Sequence, residues 1–495
     1  MKKKFALGLV LALAALAGVV VVRGALLASK QLPDSAVPAP APAAVDGAAA
    51  ALHLAGALHF RTISSQDPAA PGAAEARTEL EGLHAYLAAT YPRAHAALAR
   101  EVVGGGSLLF TWKGSDATLP PVLLMAHLDV VPVEPGTEGA WKHPPFAGVI
   151  ADGFVWGRGA LDDKGSLVAM LEAVETLLAA GFAPKRTFYF AFGHDEEVGG
   201  GAGNAKMAAL LAERGVHLAW VLDEGLAILD GIVEGVSKPV ALVGLAEKGY
   251  VTVELTVTGE GGHSSMPPRH TPVGILGAAV ARLEEHPLPA SIEGPARAMF
   301  DWLAPEMSFS RRVAFANLWL LGPLVEQLLA ARPATDALIR TTTAPTMIEG
   351  SVKENVLPAK ARALVNFRVR PGDSVAAVLD HVRACVDDDR VAVKAISEFA
   401  SEPSPVSSAD GAGFALVHRT IREVFPRVLV APGLVTGATD SRYYAGLADG
   451  VYRFFPLWLG PDDRARFHGT DERVPVDHYA DAVRFYAQLL RNASL

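Results

Sequence analysis

The sequence predicts a protein of the α/β class, in which an α/β domain is interrupted by a smaller inserted α+β domain. Apolar, strand-like runs alternate with amphipathic helical segments on both sides of the chain's middle third. Three of these runs stop at acidic or histidine residues, where ligands bind in an open α/β sheet. Between about residues 246 and 400 the pattern changes to strands of strict alternation and intervening helices. At 495 residues the chain also exceeds the usual size of one core.

The N-terminal segment predicts a membrane-directed sequence outside the fold. Lys2, Lys3 and Lys4 precede an apolar run, residues 5–22, that is long enough to cross a bilayer marginally. We assign residues 1–30 to a signal anchor or signal peptide and favour the uncleaved anchor. Lysines on the N-terminal flank alone place the rest of the chain outside the cytoplasm. Residues 31–50, rich in Pro and Ala, predict an extended linker.

Residues 51–245 alternate between helix and strand and form the first part of the α/β domain. The predicted helices are 51–60, 73–90, 164–180 and 204–214, and the predicted strands are 121–126, 153–157, 187–192 and 218–222. The strands ending at 126, 192 and 222 are each followed at once by histidine or acidic residues. Parallel strands would bring those side chains to one edge of the sheet.

Residues 246–400 form the inserted domain, and residues 401–495 resume the α/β pattern. The insert contains predicted strands 250–257 and 362–369 and predicted helices 272–285 and 374–386. Its apolar stretch 296–329 predicts either the core or dimer interface of this domain or an apolar wall for a long acyl chain. The closing part contains predicted helices 411–425 and 479–492.

Charge and cysteine content exclude several classes of function. The formal net charge is −9 and no basic stripe occurs, which argues against a nucleic-acid partner. Cys385 is the only cysteine, so the chain contains neither an intramolecular disulfide nor a cysteine metal site.

Five segments supply closely spaced histidine and carboxylate groups. They are H-L-D-V-V-P with His127 and Asp129, G-R-G-A-L-D-D-K-G with Asp162 and Asp163, D-E-E-V-G-G with Glu196 and Glu197, L-D-E-G with Asp223 and Glu224, and F-H-G-T-D-E-R with His468. Acidic pairs beside apolar strands are costly unless cations neutralise them. Imidazole and carboxylate without thiolate predict a catalytic site for zinc or a similar divalent ion.

Together with G-G-H-S-S-M-P and G-A-T-D-S-R, these segments make the chain similar to metallopeptidase family 20. The resemblance covers roughly residues 48–495 and is closest to the branch of carboxypeptidase S and the N-fatty-acyl-amino-acid hydrolases, near the aminoacylases. It implies a zinc-peptidase α/β catalytic domain with an inserted α+β lid and dimerisation domain. It also implies two Zn²⁺ ions per subunit, with Co²⁺ or Mn²⁺ possible.

The resemblance further implies the roles of individual residues. His127 and His468 would each bind one ion, and Asp162 would bridge both. Glu197 would complete the ligands of one ion, and Glu224 or its neighbour Asp223 would complete those of the other. Asp129 would accept the second ring N–H of His127. Glu196 would be the general base that takes a proton from the attacking water. In relatives the Asp162–Asp163 peptide bond is often cis.

Further residues implied by the resemblance concern the substrate. His263 would reach into the partner subunit's site and stabilise the oxyanion, which requires a homodimer through the lid. Asn355 and Arg368 match substrate-binding positions of the lid, and Arg368 suits a free α-carboxylate. Asp440 and Arg442 lie in a loop that contacts substrate in relatives.

We therefore expect an extracytoplasmic dizinc hydrolase that cleaves N-acyl amino acids or the C-terminal residues of small peptides. Two alternatives stay open at this point. One is a biosynthetic-type deacetylase or desuccinylase of the same fold, against which the N-terminal segment argues. The other is a catalytically silent module that binds peptides or metabolites, against which the complete set of site residues argues.

Overall fold

The computed structural model of the protein describes residues 2–39, 44–67 and 72–494. It divides into two compact units. Unit 1 comprises Met1–Ala28, Ala246–Val406 and Leu434–Ala438, and unit 2 comprises Ser29–Leu245, Ser407–Gly433 and Thr439–Leu495. Unit 2 is therefore assembled from segments that lie on both sides of the inserted unit 1 in the sequence.

The described residues form α-helices that are numbered here in chain order. They are α1 (Lys2–Ala25), α2 (Gly47–Ala57), α3 (Ala73–Thr90), α4 (Pro92–Ala97), α5 (Lys164–Ala179), α6 (Asn204–Glu213), α7 (Pro272–Glu285), α8 (Gly294–Leu303), α9 (Phe309–Ala316), α10 (Leu318–Ala330), α11 (Pro333–Ile339), α12 (Val375–Val386), α13 (Ala412–Val424) and α14 (Val476–Ala493).

The strands are numbered in the same way. They are β1 (Ala99–Val103), β2 (Ser107–Trp112), β3 (Val122–His127), β4 (Val149–Ala151), β5 (Phe154–Trp156), β6 (Phe188–Gly193), β7 (Trp220–Asp223), β8 (Ile228–Leu229), β9 (Val240–Glu247), β10 (Gly249–Thr258), β11 (Gly262–His263), β12 (Thr342–Glu349), β13 (Val356–Leu357), β14 (Lys360–Val369), β15 (Val391–Ser401), β16 (Leu429–Val435), β17 (Val451–Arg453), β18 (Trp458–Leu459) and β19 (Arg473–Pro475).

A ten-stranded mixed sheet organises unit 2. Its order is β1-β2-β6-β3-β7-β17-β9-β8-β18, with β16 beside β9. Strands β6, β3, β7 and β17 run parallel, and every residue of β3 is buried because the strand lies inside the sheet. Their carboxyl ends therefore meet at one edge, and β3 ends at His127 while β7 ends at Asp223. The α/β class predicted from the sequence is confirmed.

Helices of unit 2 pack against this sheet and against one another. Helix α5 contacts β3 and α14, and α14 also contacts α2 and α13. Helix α2 begins at Gly47, inside the segment assigned to the linker, because the Asp46 carboxylate accepts the N–H groups of Ala48 and Ala49. Within unit 2, the side chain of Gln31, also in the segment assigned to the linker, forms hydrogen bonds with both backbone groups of Val430.

A separate three-stranded sheet of unit 2 joins distant parts of the chain. Strand β5 pairs antiparallel with β4 and with β19, and Trp156 lies opposite Arg473. The loop that follows β5 carries Asp162, and the loop that precedes β19 carries His468. This pairing brings the two loops together although they are far apart in the sequence.

Unit 1 contains a four-stranded antiparallel sheet in the order β12-β14-β10-β15. Strands β10 and β14 alternate between buried and partly exposed residues, as expected for a sheet with one covered face. Helices α7 and α12 cover that face, and their apolar residues share one core cluster with the strands. Strands β11 and β13 form a small separate antiparallel pair.

The apolar stretch 296–329 forms parts of three helices rather than one. Helix α8 buries Phe300, Trp302 and Leu303 within unit 1. Helix α9 packs against α1 and is followed by α10, much of whose apolar surface is exposed. Among the described helices, α1 alone is long and apolar enough by itself to cross a membrane, with a mean hydropathy of 2.8.

Candidate metal centre

The first part of the site surrounds His127, the last residue of β3. Its side chain is buried, with 1% of its surface exposed. The Nε2 atom lies 2.8 Å from Asp162 Oδ1 and 3.4 Å from Glu224 Oε1. These three residues can each offer one atom to a common cation.

The second part of the site shares Asp162 with the first. His468 Nε2 lies 3.0 Å from Asp162 Oδ2 and 3.2 Å from Glu197 Oε2. Asp162 therefore turns one carboxylate oxygen to each histidine. Within each triad all three candidate ligand atoms lie within 4.8 Å of one another. The arrangement is that of two cation sites joined by one bridging carboxylate.

The structure separates Asp223 from Glu224, which the sequence left as alternatives. The Glu224 carboxylate approaches His127, whereas Asp223 Oδ2 accepts the backbone N–H of Ser441 at 3.0 Å. Asp223 is almost fully buried at the end of β7. The geometry therefore brings Glu224, and not Asp223, to the His127 triad.

Asp129 has a larger positioning role than its expected contact with His127. His127 Nδ1 lies 2.9 Å from the backbone oxygen of Asp129 and 3.4 Å from its carboxylate. The carboxylate accepts the backbone N–H groups of Glu196 and Glu197, at 3.2 and 3.1 Å. Asp129 thus connects the end of β3 to the turn that carries both glutamates.

Glu196 opens the short 3-10 turn Glu196–Val198 that follows β6. Among the residues described, it belongs to neither triad of candidate ligands. Burial raises the pKa of its carboxyl group well above the usual range, and the nearby charge of Asp440 adds to the effect. A carboxyl group with a raised pKa, beside a ligand but outside the ligand set, suits proton transfer.

Electrostatics in the site favour a bound cation. Burial raises the pKa of Glu224 well above its ordinary value, with the charges of Asp162 and Asp163 acting in the same direction. Hydrogen bonds to Asp162 and Glu197 raise the pKa of His468 to about 10. Carboxylates crowded in a low-dielectric site repel one another, and a divalent ion removes that cost.

A buried ion pair that the sequence analysis missed holds two ligand loops. Arg158 Nη1 lies 2.6 Å from Glu472 Oε2, and both side chains are almost completely buried. Glu472 Oε1 also accepts the backbone N–H of Asp162 at 3.1 Å, and Arg158 Nη2 donates to the backbone oxygen of His468 at 3.0 Å. The sequence did contain a signal for this pair, because Arg158 lies in the same motif as Asp162 and Glu472 lies in the same motif as His468.

The residues after Asp162 complete the loop. The Asp162–Asp163 peptide bond is cis, and burial raises the pKa of the Asp163 carboxyl group. The ammonium group of the next residue, Lys164, donates to the backbone oxygen of Phe60 at 2.6 Å, and burial lowers its pKa to about 7.

Asp440 and Arg442, expected near the substrate, both contact parts of unit 2. Asp440 Oδ2 accepts from Asn204 Nδ2 at 2.7 Å, and burial raises its pKa to about 7. Arg442 Nη2 donates to the backbone oxygen of Gly199, in the turn after Glu197, at 2.8 Å. Both residues thereby support the segments that follow β6.

The remaining sequence-predicted residues lie in unit 1. His263 is exposed on β11, with Nδ1 2.8 Å from Ser265 Oγ. Asn355 is exposed just before β13, and its backbone oxygen accepts the N–H of Ser264. Arg368 lies on β14 with its guanidinium 4.8 Å from the centre of the Tyr250 ring.

The donor set fits divalent cations of the zinc type. Each triad supplies imidazole nitrogen and carboxylate oxygen, and three protein ligands leave a coordination position open, as in catalytic sites. Cys385, the one cysteine of the sequence, lies in α12 of unit 1 and belongs to neither triad.

Comparison with known proteins identifies relatives that align with most of the chain. A family model described as peptidase family M20/M25/M40 matches residues 123–492. The chain is 44% identical over 423 residues to an N-fatty-acyl-amino acid synthase/hydrolase of Danio rerio, covering 84% of this chain and 81% of that protein. It is 34% identical over 460 residues to carboxypeptidase S of Saccharomyces cerevisiae, covering 83% and 78%.

Solved structures share the fold at low sequence identity. A metallo-carboxypeptidase of Sulfolobus solfataricus superposes with a TM-score of 0.65 at 18% identity, covering 90% of this chain and 99% of that one. Human carnosine dipeptidase 1 gives a TM-score of 0.65 at 19% identity, covering 90% and 96%.

Proposed function

The chain belongs to peptidase family M20/M25/M40 and is a metal-dependent amidohydrolase or carboxypeptidase, and from that premise we propose a dizinc N-fatty-acyl-amino-acid hydrolase. The observation that carries the proposal is the pair of triads that share Asp162, with Glu196 placed beside them but outside both. With divalent ions bound, such a site would supply the Lewis acidity and the activated water that amide hydrolysis needs.

The proposed ligands divide between two zinc ions. His127 and Glu224 would hold one ion, His468 and Glu197 would hold the other, and Asp162 would contribute an oxygen to each. When bound, the ions supply Lewis acidity that polarises the scissile carbonyl and lowers the pKa of the attacking water. Asp129 and the Arg158–Glu472 pair orient the segments that carry these ligands.

Glu196 is the proposed general base. Its carboxylate takes a proton from the attacking water and returns it to the nitrogen of the leaving amino acid. Burial raises the pKa of this carboxyl group above its usual range, which makes it a better proton acceptor than an exposed glutamate. His263, exposed on β11, is proposed to stabilise the oxyanion in the site of a partner subunit.

The proposed substrate combines an apolar acyl chain with a free carboxylate. The relative at 44% identity is named for N-fatty-acyl amino acids, and the insert of this chain is rich in apolar residues. Arg368, half-buried against Tyr250, is proposed to bind the α-carboxylate, with Asn355 nearby in the sequence as a second polar contact. Asp440 and Arg442 are proposed to shape the substrate side of unit 2.

We also propose where the enzyme works and how it assembles. Helix α1 contains 24 residues, of which an 18-residue window has a mean hydropathy of 2.8, and this supports an uncleaved anchor with the catalytic unit outside the cytoplasm. A homodimer through the inserted unit would supply His263 to each site. The limits of the domains, 51–245 and 401–495 for catalysis and 246–400 for the lid, remain those proposed from the sequence.

The substrate proposal is tested with zinc-loaded protein and a series of N-acyl amino acids. Each buried methylene contributes about 0.8 kcal/mol, so four added methylenes should raise kcat/KM by up to about 200-fold until the apolar surface is filled. Amidation of the substrate carboxylate should nearly abolish turnover of the wild-type enzyme. In the Arg368→Met variant the same amidation should lower turnover little, because this variant would already bind the free acid poorly.

Two results would contradict this assignment. A preference for acetyl over long acyl chains would exclude the fatty-acyl class and favour an aminoacylase-type substrate. Equal turnover of the free acid and its amide would remove the role of Arg368.

A further inference from the structure

The end of helix α1 is fastened to the inserted unit by side-chain hydrogen bonds. Asn317, completely buried between α9 and α10, donates from Nδ2 to the backbone oxygen of Val20 at 2.9 Å. Arg23 donates from Nε to the backbone oxygen of Ala316, the last residue of α9, at 3.2 Å. If α1 were only an apolar signal sequence without a structural role, a buried asparagine of the inserted unit would not need to form a hydrogen bond with its backbone.

Close packing accompanies these bonds. Gly24 is the buried residue of α1, and a Cβ atom at this position would lie 2.5 Å from Val313 Cγ2 of α9. Gly18, two turns earlier in the same helix, has no such neighbour within 4 Å. Helix α9 therefore approaches α1 at a place where glycine permits close contact between the two backbones.

Helix α10 leaves a row of large apolar side chains exposed. Leu320, Leu324 and Leu328 are 42%, 54% and 63% exposed, and their spacing of four residues places them on one helix face. Trp319, at 59% exposed, lies beside them. Helices α9 and α10 bend by 115° at their junction and together are apolar enough to count as a broken membrane segment.

We propose that α10 lies on a phospholipid bilayer with this apolar face among the lipid chains, while α1 spans the same bilayer. A helix of 24 residues is about 36 Å long, which exceeds a hydrocarbon core of about 30 Å. The contact of Val20 with Asn317 and that of Gly24 with α9 occur in the last turns of α1, so they place α9 and α10 at the membrane surface. Amphipathic helices bind there with their apolar face about 5–10 Å into the boundary region.

Lipid is the occupant that the structure favours over another protein. The exposed face is continuous with a helix that itself needs lipid, and Trp319 supplies the aromatic side chain that favours membrane interfaces. The inference rests on the anchor proposed above and goes beyond it, because an anchored enzyme could equally hold its inserted unit clear of the membrane.

The test uses the full chain with Cys385→Ala, so that one introduced cysteine carries a nitroxide label. Labels at Leu324→Cys, Leu13→Cys and Val352→Cys are compared in phosphatidylcholine vesicles by their collision rates with oxygen and with an aqueous nickel chelate. Leu13 lies in α1 and reports the anchor alone, whereas Val352 is completely exposed in unit 1. We expect the label at position 324 to resemble the label at position 13, with a high collision rate with oxygen and a low collision rate with the nickel chelate.

Each other result overturns the proposal in an identifiable way. Nickel accessibility at 324 equal to that at 352 would show that α10 faces water, although α1 is inserted. Protection from both reagents, with spin–spin broadening between labels, would assign the face to a second copy of the chain. Nickel accessibility at position 13 would show that the anchor itself is wrong.

Two glycine variants test the fastening of α1 to α9. Gly24→Leu should leave the label at 13 in lipid but shift the label at 324 towards water, because the new side chain meets Val313. Gly18→Leu adds the same side chain where nothing lies within 4 Å, so it should change neither label. An unchanged signal at 324 in Gly24→Leu would overturn the joint placement of α1 and α10.

Discussion

Neighbouring residues with the same side chain have different surroundings at this site. Glu197 lies 3.2 Å from His468 Nε2, whereas Glu196 stands outside both triads, and Asp129 accepts the backbone N–H of each. The positions of the two carboxylates thus follow from one short turn after β6. The roles proposed for them, proton transfer for Glu196 and metal binding for Glu197, can be distinguished by single substitutions.

Glu196→Gln should abolish turnover and leave the zinc content near two ions per chain. The amide is similar in size but cannot take the proton, so we expect a loss of at least about 100-fold in kcat. The matched variant Glu197→Gln, one residue along, should lose metal and activity together. Zinc content by elemental analysis and turnover of an N-acyl amino acid provide the two readouts. Loss of zinc from Glu196→Gln would show that the two roles are reversed.

The sequence could predict most of this clustering but not its details. Residues that follow parallel strands must meet at one sheet edge, so His127 and the glutamates after β6 were expected together. The distinction between Asp223 and Glu224 depends on the backbone N–H of Ser441, which lies 218 residues further along the chain. No local pattern reports such a distant donor.

At the scale of secondary-structure elements, the pairing of β5 with β19 determines how the bridging loop meets the His468 loop. Arg158 follows β5 and Glu472 precedes β19, and their buried ion pair spans 314 residues of sequence. Because Glu472 also accepts backbone N–H groups of the Asp162 loop, one carboxylate orders both ligand segments.

Glu472→Gln should destabilise the protein and weaken zinc binding. Removing one partner leaves the buried Arg158 charge without its counter-ion, at a cost of about 3–5 kcal/mol. Asp152→Asn, which breaks an exposed pair with Lys142 beside the same small sheet, should cost about 1 kcal/mol or less. Denaturant unfolding and zinc competition with a chelator measure the two effects. Equal costs for the two variants would contradict the role of the buried pair.

Helix α13 supplies a second prediction, which concerns acid stability. Burial, aided by the charge of Arg422, lowers the pKa of His418 from 6.5 to about 4. A folded-state pKa below the unfolded value stabilises the fold above about pH 6.5, and this contribution is lost as pH falls towards 4. The full contribution is roughly 3 kcal/mol.

His418→Gln should therefore make the free energy of unfolding less dependent on pH between 7 and 4.5. His217→Gln, which makes the same substitution at an exposed histidine, serves as the control for the substitution itself. Denaturant unfolding at several pH values gives the comparison. An unchanged slope in His418→Gln would show that this histidine does not carry the acid sensitivity.

The elements themselves were predicted unevenly. Helices 73–90 and 272–285 match α3 and α7, because their periodic apolar positions pack on one side. The apolar stretch 296–329 gave no internal boundary, although Asn317 separates α9 from α10. A buried asparagine there bonds the backbone of α1, nearly 300 residues away, and sequence periodicity carries no information on such a contact.

At the scale of the whole molecule, two units divide the proposed functional residues. Unit 2 contains both metal triads, while unit 1 contains His263, Asn355 and Arg368. If His263 acts in the partner's site, activity requires two chains. The proposed dimer can therefore be tested by an activity measurement as well as by a measurement of molecular mass.

Mixing two inactive variants should restore part of the activity. In a dimer of His263→Ala with Glu196→Gln, one of the two sites has both an intact Glu196 and a partner's intact His263. Equal mixing with free exchange should give roughly a quarter of wild-type activity per chain. Two Glu196→Gln preparations mixed in the same way provide the control and should stay inactive. No recovery, with exchange shown by differently tagged chains, would contradict action in trans.

The pairing of early and late segments has a consequence for biosynthesis. Asp162 depends on Glu472, which is translated 310 residues later. At about 5–20 residues per second, roughly 15–60 s separate the two events on the ribosome. A growing chain thus presents carboxylates from β3, β6 and β7 well before the loop with His468 exists. If the two triads bind metal as proposed, we expect the sites to be completed late in maturation, after the final segment has joined the sheet.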